Sequence, residues 1–168
     1  MGAATLLSLE EYLATTYRPD CDYVDGEVRE RNLGEYDHSR MQGEIIFWLR
    51  THYGGLRRVL PEQRVQVKAT RFRIPDLCVL AEGAPRENIT RTPPLLCIEL
   101  LSKDDRMNEV VERVDDYFQM GVPVCWIIDP VKGRGWIATP GQLLEPSDGT
   151  LRAGDIAMPL FEVVEQNA

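Results

Sequence analysis

The stretch FRIPDLCVL, residues 72–80, contains a single acid, Asp76, at the start of an apolar run. The stretch LLCIELL, residues 95–101, contains Glu99 in the middle of the most hydrophobic segment of the chain. Both runs have the length and the apolar content of buried strands. A carboxylate in such a strand is costly to bury unless a partner compensates its charge. The two acids are therefore the first candidates for a functional site.

Asp76 and Glu99 can face each other if their strands are neighbours in one sheet. Two unpaired charges about 4 Å apart repel by roughly 4 kcal/mol at an effective dielectric constant of about 20. A divalent cation reverses the sign of that interaction, and carboxylate oxygens suit Mg²⁺ or Mn²⁺. The pair predicts half of a metal site. In the alternative, each acid is structural: Asp76 begins a strand or accepts backbone N–H bonds in a turn, and Glu99 pairs with a buried arginine.

The chain length and composition predict one globular domain, residues 1–168, with a single core. Its four cysteines are Cys21, Cys78, Cys97 and Cys125, and none forms a C-x-x-C pair with another. Three of them lie in apolar runs, which favours buried free thiols over disulfides. With two histidines in the whole chain, zinc is not favoured as the metal.

Neither a signal peptide nor an apolar run of about 18 residues is visible in the sequence. We therefore expect a soluble, cytoplasmic protein with no membrane partner. The formal net charge of −8 disfavours binding to a polyanion, because nucleic-acid binding depends on neutralising phosphates.

Six cations within residues 57–73 run against that overall charge, and a single acid, Glu62, lies among them. They could form a local surface for DNA, or they could line a solvated strand pair and face water. The six are Arg57, Arg58, Arg64, Lys68, Arg71 and Arg73.

Local signals predict a helix and a hairpin near the start of the chain. Ser8 with Glu11 forms a capping box that predicts a short helix through Ala14. Asp25-Gly26, between β-type residues, predicts a hairpin turn. Glu27, just beyond the turn, faces either the site or solvent.

An apolar stripe at helical spacing predicts a long helix from Ser39 to Tyr53, ended by two glycines. His38 lies at its start, as a cap or as a functional residue. Partial alternation over residues 59–68 then predicts one half-buried strand.

A second helix is predicted to begin in Ser102-Lys103-Asp104-Asp105 and to stop at Gly121-Val122-Pro123. Arg113 falls at the edge of its apolar stripe, where it can extend to water or bend toward the preceding strand. A buried strand at residues 124–130 and an edge strand at residues 133–140 follow. Strands on both sides of this helix predict a right-handed crossover, and with the upstream hairpin an α/β (α+β) domain with a mixed sheet.

Several segments taken together resemble the restriction-endonuclease-like family of the PD-(D/E)xK nuclease superfamily. The resemblance spans about residues 6–161 and is specific as a set. It rests on Tyr23-Val24-Asp25-Gly26-Glu27, His38, Pro75-Asp76, Ile98-Glu99-Leu100-Leu101-Ser102, and the stretch from Tyr117 through Gly121-Val122-Pro123-Val124-Cys125-Trp126-Ile127-Ile128-Asp129-Pro130.

The resemblance implies a mixed central sheet flanked by helices, with a metal at one end. It implies an endodeoxyribonuclease in which Asp76 and Glu99 bind Mg²⁺, with Mn²⁺ as a possible substitute. The metal would activate a water and stabilise charge on the scissile phosphate of DNA. His38 and Glu27 match family positions near the site, where they would orient water or a second metal.

The chain departs from the superfamily pattern at the lysine. Leu101 stands two residues beyond Glu99, and the family's alternative lysine, on the following helix, is Arg113 here. Arginine keeps its charge, so Arg113 could stabilise a developing charge but could not act as a base. Lys103 is a second candidate for this role.

Two other functions stay open on the sequence alone. One is a catalytically inactive nuclease fold that serves as a binding or interaction module, which Leu101, Arg113 and the acidic net charge favour. The other is a hydrolase of a different phosphoester. Homodimerisation is a further expectation, by analogy with nucleases that cut both strands.

Overall fold

Three α-helices, one short 3-10 helix (Leu160–Glu162) and twelve strands lie along residues 6–32, 34–55 and 57–164, which a computed structural model of the protein describes. The predicted domain bounds, residues 1 and 168, lie outside the described residues. The α-helices are α1 (Leu9–Ala14), α2 (Tyr36–Tyr53) and α3 (Met107–Met120). The strands are β1 (Cys21–Val24), β2 (Glu27–Glu30), β3 (Arg58–Pro61), β4 (Val65–Lys68), β5 (Arg71–Arg73), β6 (Leu77–Leu80), β7 (Leu96–Leu100), β8 (Cys125–Asp129), β9 (Arg134–Thr139), β10 (Gln142–Leu144), β11 (Thr150–Ala153) and β12 (Ile156–Pro159).

The strands form three sheets in the described part of the chain. The largest has the order β10-β9-β8-β7-β6-β3, a second has the order β2-β1-β5-β4, and β11 pairs with β12 alone. In the largest sheet β7 and β8 are parallel, and the other pairs are antiparallel. A parallel pair needs a crossover, which α3 supplies. The predicted mixed sheet with helices is confirmed.

Alternating side chains of the central strands supply the core on both faces of the largest sheet. Leu77 and Val79 of β6 pack in the same cluster as the apolar stripe of α2. Cys78 and Leu80 pack in a second cluster with Val110, Val114 and Tyr117 of α3. The sheet is therefore covered by α2 on one face and by α3 on the other.

The capping box and the hairpin are confirmed. The Ser8 side chain accepts from the Glu11 backbone N–H, and Glu11 accepts from the Ser8 backbone in return. Val24 pairs with Glu27 across the Asp25-Gly26 turn, where both residues have positive φ. All four cysteines are buried and free.

The single strand predicted over residues 59–68 is wrong. The chain forms β3 and β4, which belong to different sheets. Between them Glu62 has a φ of 50°, in the left-handed region, and this breaks the extended backbone. The partial alternation carried no information on that break.

The predicted helix starts are also wrong. Helix α3 begins at Met107, because the Ser102 backbone N–H donates to the Asp105 carboxylate and Asp105 N–H donates to the Ser102 carbonyl, which closes a separate turn. Helix α2 begins at Tyr36, three residues before Ser39.

The strand predicted as an edge, β9, lies inside the sheet, because β10 pairs with it in the order given above. β10 is the edge, and its Leu143 and Leu144 are about half exposed. Pro140 precedes this strand and Pro146 follows it.

None of the helices in the described ranges combines the length and apolarity needed to cross a bilayer.

Candidate active site

Asp76 and Glu99 meet at the junction of β6 and β7. Leu77 pairs with Ile98 in the antiparallel register, so Asp76, one residue earlier, lies across from Glu99. The Leu100 backbone N–H donates to Asp76 Oδ2 at 2.7 Å. Asp76 is 4% exposed and Glu99 is 3% exposed. The strands therefore bring the two predicted acids together in a buried position.

Both acids lie on the sheet face that α3 covers. Glu99 shares its side of β7 with Cys97, and Cys97 packs in the cluster of α3 residues. The hydroxyl of Tyr117, on α3, donates to Glu99 Oε1 at 2.6 Å. This bond fixes the orientation of the Glu99 carboxylate.

A cleft of about 370 Å³ opens beside the two carboxylates. It is lined by seven acids, four arginines, one histidine and three other residues, so its charge is predominantly negative. The lining residues are Asp22, Arg29, Glu30, Arg31, Asn32, His38, Arg73, Asp76, Glu99, Leu100, Ser102, Asp105, Glu109, Glu112 and Arg113.

Two basic side chains approach Asp76 Oδ1. Arg31 donates to it from a nitrogen 2.9 Å away, and His38 Nε2 lies 3.3 Å from the same oxygen. The hydrogen bond with Asp76 raises the pKa of His38, and this outweighs the opposing effect of burial. The predicted candidate His38 is therefore in the cleft, beside Asp76.

Glu99 has a nearby cation in Arg113. Arg113 Nε lies 3.3 Å from Glu99 Oε2, and another guanidinium nitrogen donates to Asp105 at 3.1 Å. Burial raises the pKa of Glu99 to about 7, although the charge of Arg113 lowers it. Arg113 therefore extends toward Glu99 on β7 and not toward water. This is one of the two alternatives that the sequence left open.

We expect the free energy of unfolding to fall as the pH rises from about 5 to about 8. Glu99 holds its proton in the folded state up to about pH 7, whereas an unfolded glutamate with its ordinary pKa of 4.5 has already released it. Folding therefore binds a proton in that window, and stability is lost as pH rises. The raised pKa of His38 acts in the same direction. Glu99 contributes at most on the order of 3 kcal/mol to this change in the free energy of unfolding.

Urea unfolding at several pH values measures this slope, and Glu99→Gln removes the titrating group while keeping the side-chain shape. A smaller pH dependence in the variant is the expected result. An equal slope in both proteins would contradict the assignment to Glu99.

The donor set matches the number of carboxylates that magnesium uses. Across residues 6–32, 34–55 and 57–164, no three His, Cys, Asp or Glu side chains are placed to hold a metal together. Magnesium is usually bound through one or two carboxylates, with waters and substrate phosphates completing its shell. Two carboxylates beside an open cleft therefore fit Mg²⁺ and leave room for those ligands.

Lys103 and Glu27 are not brought to the two acids. Lys103 is exposed and pairs with Glu35 at 2.5 Å. Glu27 is half exposed and pairs with Arg29 at 3.3 Å. Neither of them lines the cleft.

Four of the six cations that the sequence suggested as a possible surface for DNA form ion pairs within the protein: Arg57, Arg64, Arg71 and Arg73. Arg57 pairs with Asp155, and Arg71 pairs with Asp25 and Asp116. The run is divided between β3 of one sheet and β4 and β5 of another. Most of its arginines are therefore used within the protein.

A buried charge network that the sequence did not reveal borders the cleft. Arg73, on β5, donates from Nε to Asp116 at 2.8 Å and from a terminal nitrogen to Asp22 at 3.1 Å. All three residues are at most 4% exposed. The network connects β1, β5 and α3, which together form one wall of the site.

Arg31 and Tyr117 were also missed as site residues. Tyr117 had a usable signal, because it lies four residues after Arg113 on the same helix face. Arg31 had none, since its partner Asp76 is 45 residues away in the sequence.

The chain matches one protein-family model and a solved structure. The family model Uma2, described as "Putative restriction endonuclease", matches residues 9–161. A solved structure from Anabaena variabilis ATCC 29413, described as a "putative nuclease", matches with a TM-score of 0.81 at 21% identity, over 94% of this chain and 97% of that one. At that identity the match shows a shared fold. No curated protein matches the chain. Because the family match covers most of the sequence, the chain belongs to the Uma2 family, as the resemblance in the sequence indicated.

Proposed function

We propose that this protein is a magnesium-dependent endodeoxyribonuclease that hydrolyses phosphodiester bonds of DNA. Asp76 and Glu99 are the proposed metal ligands, and Mn²⁺ is a suitable substitute for Mg²⁺. The observation that carries the proposal is the placement of two buried carboxylates across neighbouring strands, beside one open cleft. Membership of a family described as "Putative restriction endonuclease" supports a nucleic-acid substrate.

Each site residue has a defined part in the proposed reaction. When bound, the metal would supply an activated water and stabilise negative charge on the phosphate. The Leu100 N–H and the Tyr117 hydroxyl hold the two carboxylates, which would be its ligands, in fixed orientations. Arg113 contributes a permanent positive charge beside Glu99 and cannot take up a proton. His38, whose pKa is raised, donates a hydrogen bond to Asp76.

A second candidate function is a binding module without catalysis. Arg31 and Arg113 already compensate both acids, so the charge balance of the site is met without a metal. A third candidate is a hydrolase of a small phosphoester, which carries fewer phosphates than a DNA duplex and is repelled less by the predominantly acidic cleft. A measurement of metal binding distinguishes these functions, because the two hydrolases need a metal and the binding module does not.

Isothermal titration with Mg²⁺ and Mn²⁺ tests the metal site. We expect binding to the wild type and its loss, by at least about a hundredfold in affinity, in Asp76→Asn, because the variant removes one of two charged ligands. Glu109→Gln is the matched control: Glu109 lines the same cleft, and this change also removes one negative charge.

The titration is repeated with a short DNA duplex, because phosphate oxygens complete some magnesium sites. Equal binding to wild type and Asp76→Asn would show that the ligand assignment is wrong. If neither metal binds in either condition, the binding module becomes the better description.

Pairing of two copies stays a prediction. Sedimentation velocity at several protein concentrations measures it, and a concentration-independent monomer would contradict it.

A further inference from the structure

Arg31 reaches Asp76 from the segment between β2 and α2. Its guanidinium nitrogen is 2.9 Å from Asp76 Oδ1, and its side chain is 19% exposed. Solvent and salt screen a partly buried pair less than a surface pair. One oxygen of the proposed metal ligand is thus already engaged by a strong cationic donor.

Arg31 is held less firmly than the other arginine beside the two acids. Arg113 lies within a helix and has a second carboxylate partner, Asp105, at 3.1 Å. The other ion pair of Arg31 is with Glu62 at 3.9 Å, and the Glu62 side chain is 57% exposed. Loss of the Asp76 contact would therefore leave Arg113 in place and leave Arg31 with the long pair to Glu62 and the electrostatic attraction of Glu99 and Asp22.

A metal and Arg31 compete for the same lone pairs. Asp76 Oδ2 accepts the Leu100 N–H, while Oδ1 faces both Arg31 and His38. A carboxylate oxygen offers about two acceptor sites. A divalent cation that approaches Oδ1 meets a fixed positive charge at hydrogen-bonding distance, and the two repel.

We propose that Arg31 exchanges partners during binding: it neutralises Asp76 until a metal takes that carboxylate, and it then binds a phosphate group of the nucleic acid. This inference rests on the proposed metal-dependent function. The planar guanidinium matches the oxygens of a phosphate as well as those of a carboxylate. In a cleft where seven acids outnumber four arginines, an arginine released from Asp76 adds a cation for a phosphate to bind.

The first test is titration of Mn²⁺ alone into wild type and Arg31→Gln. We expect Mn²⁺ to bind Arg31→Gln about tenfold more tightly, because hydrogen bonds to charged groups are typically worth at least that factor. Arg29→Gln is the matched control. Arg29 lines the same cleft but pairs with Glu27 and Glu112. Arg29→Gln therefore removes one positive charge from the cleft and leaves the contact between Arg31 and Asp76 intact. We expect its affinity to change by less than about threefold.

The second test measures binding of a hydrolysis-resistant phosphorothioate DNA duplex to Mn²⁺-saturated protein by fluorescence anisotropy. Arg31→Gln is expected to bind the duplex about tenfold more weakly than wild type. A damaged fold would weaken both ligands, whereas partner exchange strengthens one and weakens the other. Arg31→Lys keeps the cation and is expected to hold Mn²⁺ affinity near that of wild type.

An unchanged or weaker Mn²⁺ affinity in Arg31→Gln overturns the exchange while the metal site itself stands. Tighter Mn²⁺ binding with unchanged duplex affinity also overturns it, because Arg31 would then only block the metal. If Mn²⁺ binds to none of these proteins, with or without the duplex, the proposed function fails and the exchange fails with it.

Discussion

Asp76→Asn is expected to reduce Mg²⁺-dependent cleavage of duplex DNA by at least about a hundredfold, because it removes the charge of a metal ligand. The amide keeps an oxygen that can accept the Leu100 N–H, so the strand junction is preserved. It also removes one negative charge from an acidic cleft. Duplex affinity without metal should therefore be equal to that of the wild type, or higher.

Cleavage of a labelled duplex, with EDTA as the metal-free control, measures the rate. Glu109→Gln removes a charge from the same cleft and should retain the wild-type rate within about threefold. If Asp76→Asn cleaves as fast as its parent, the activity belongs to another site or to a contaminant. Loss of both cleavage and duplex binding would instead indicate a damaged fold.

Arg73→Met is expected to destabilise the protein by about 3–5 kcal/mol, the usual result of removing one partner from a buried ion pair. The variant keeps the volume of the side chain but leaves Asp22 and Asp116 without their shared cation. Asp116 retains Arg71, and Asp22 retains only the Ile74 N–H among its described hydrogen bonds. The destabilisation should be centred on the contacts that β1, β5 and α3 make with one another in this wall of the site.

Urea unfolding measures the change, and Arg134→Met is the control. Arg134 pairs with Glu145 at 2.6 Å, but both side chains are more than 40% exposed. Such a solvent-exposed pair adds little to stability, so Arg134→Met should unfold at nearly the same urea concentration as the wild type. Burial raises the pKa of Asp22 even with Arg73 present, so the loss in Arg73→Met should be smaller at low pH, where Asp22 is protonated. Equal losses in the two variants would show that the Arg73 network is unimportant for stability.

Features encoded in short segments were predictable from the sequence. The Ser8–Glu11 capping box and the Asp25-Gly26 turn need only a few neighbouring residues, and both form as expected. Asp76 and Glu99 were identified because a charge inside an apolar strand is conspicuous. Their strand register then follows from the pairing of β6 with β7.

Features that depend on distant pairing were not predictable. Arg31 and Asp76 are 45 residues apart, and Arg73 and Asp22 are 51 apart. A sequence shows how many cations a segment has but not which carboxylates reach them. For that reason the cations of residues 57–73 suggested a DNA surface, whereas Arg71 and Arg73 stabilise the interior. Lys103 lies away from the two acids for a local reason, because the chain leaves β7 and closes a turn before α3 begins.

The edge strand β10 is short and offers little surface for the addition of a foreign strand. An open sheet edge with two half-exposed leucines is a template on which a foreign strand can grow. Pro140 and Pro146 lie on either side of β10 and have no N–H to donate to such a strand. An added strand could form hydrogen bonds along only the three residues of β10, which is shorter than the six or seven residues typical of fibril-forming segments. Concentrated solutions of the folded protein should therefore resist fibril growth from this edge.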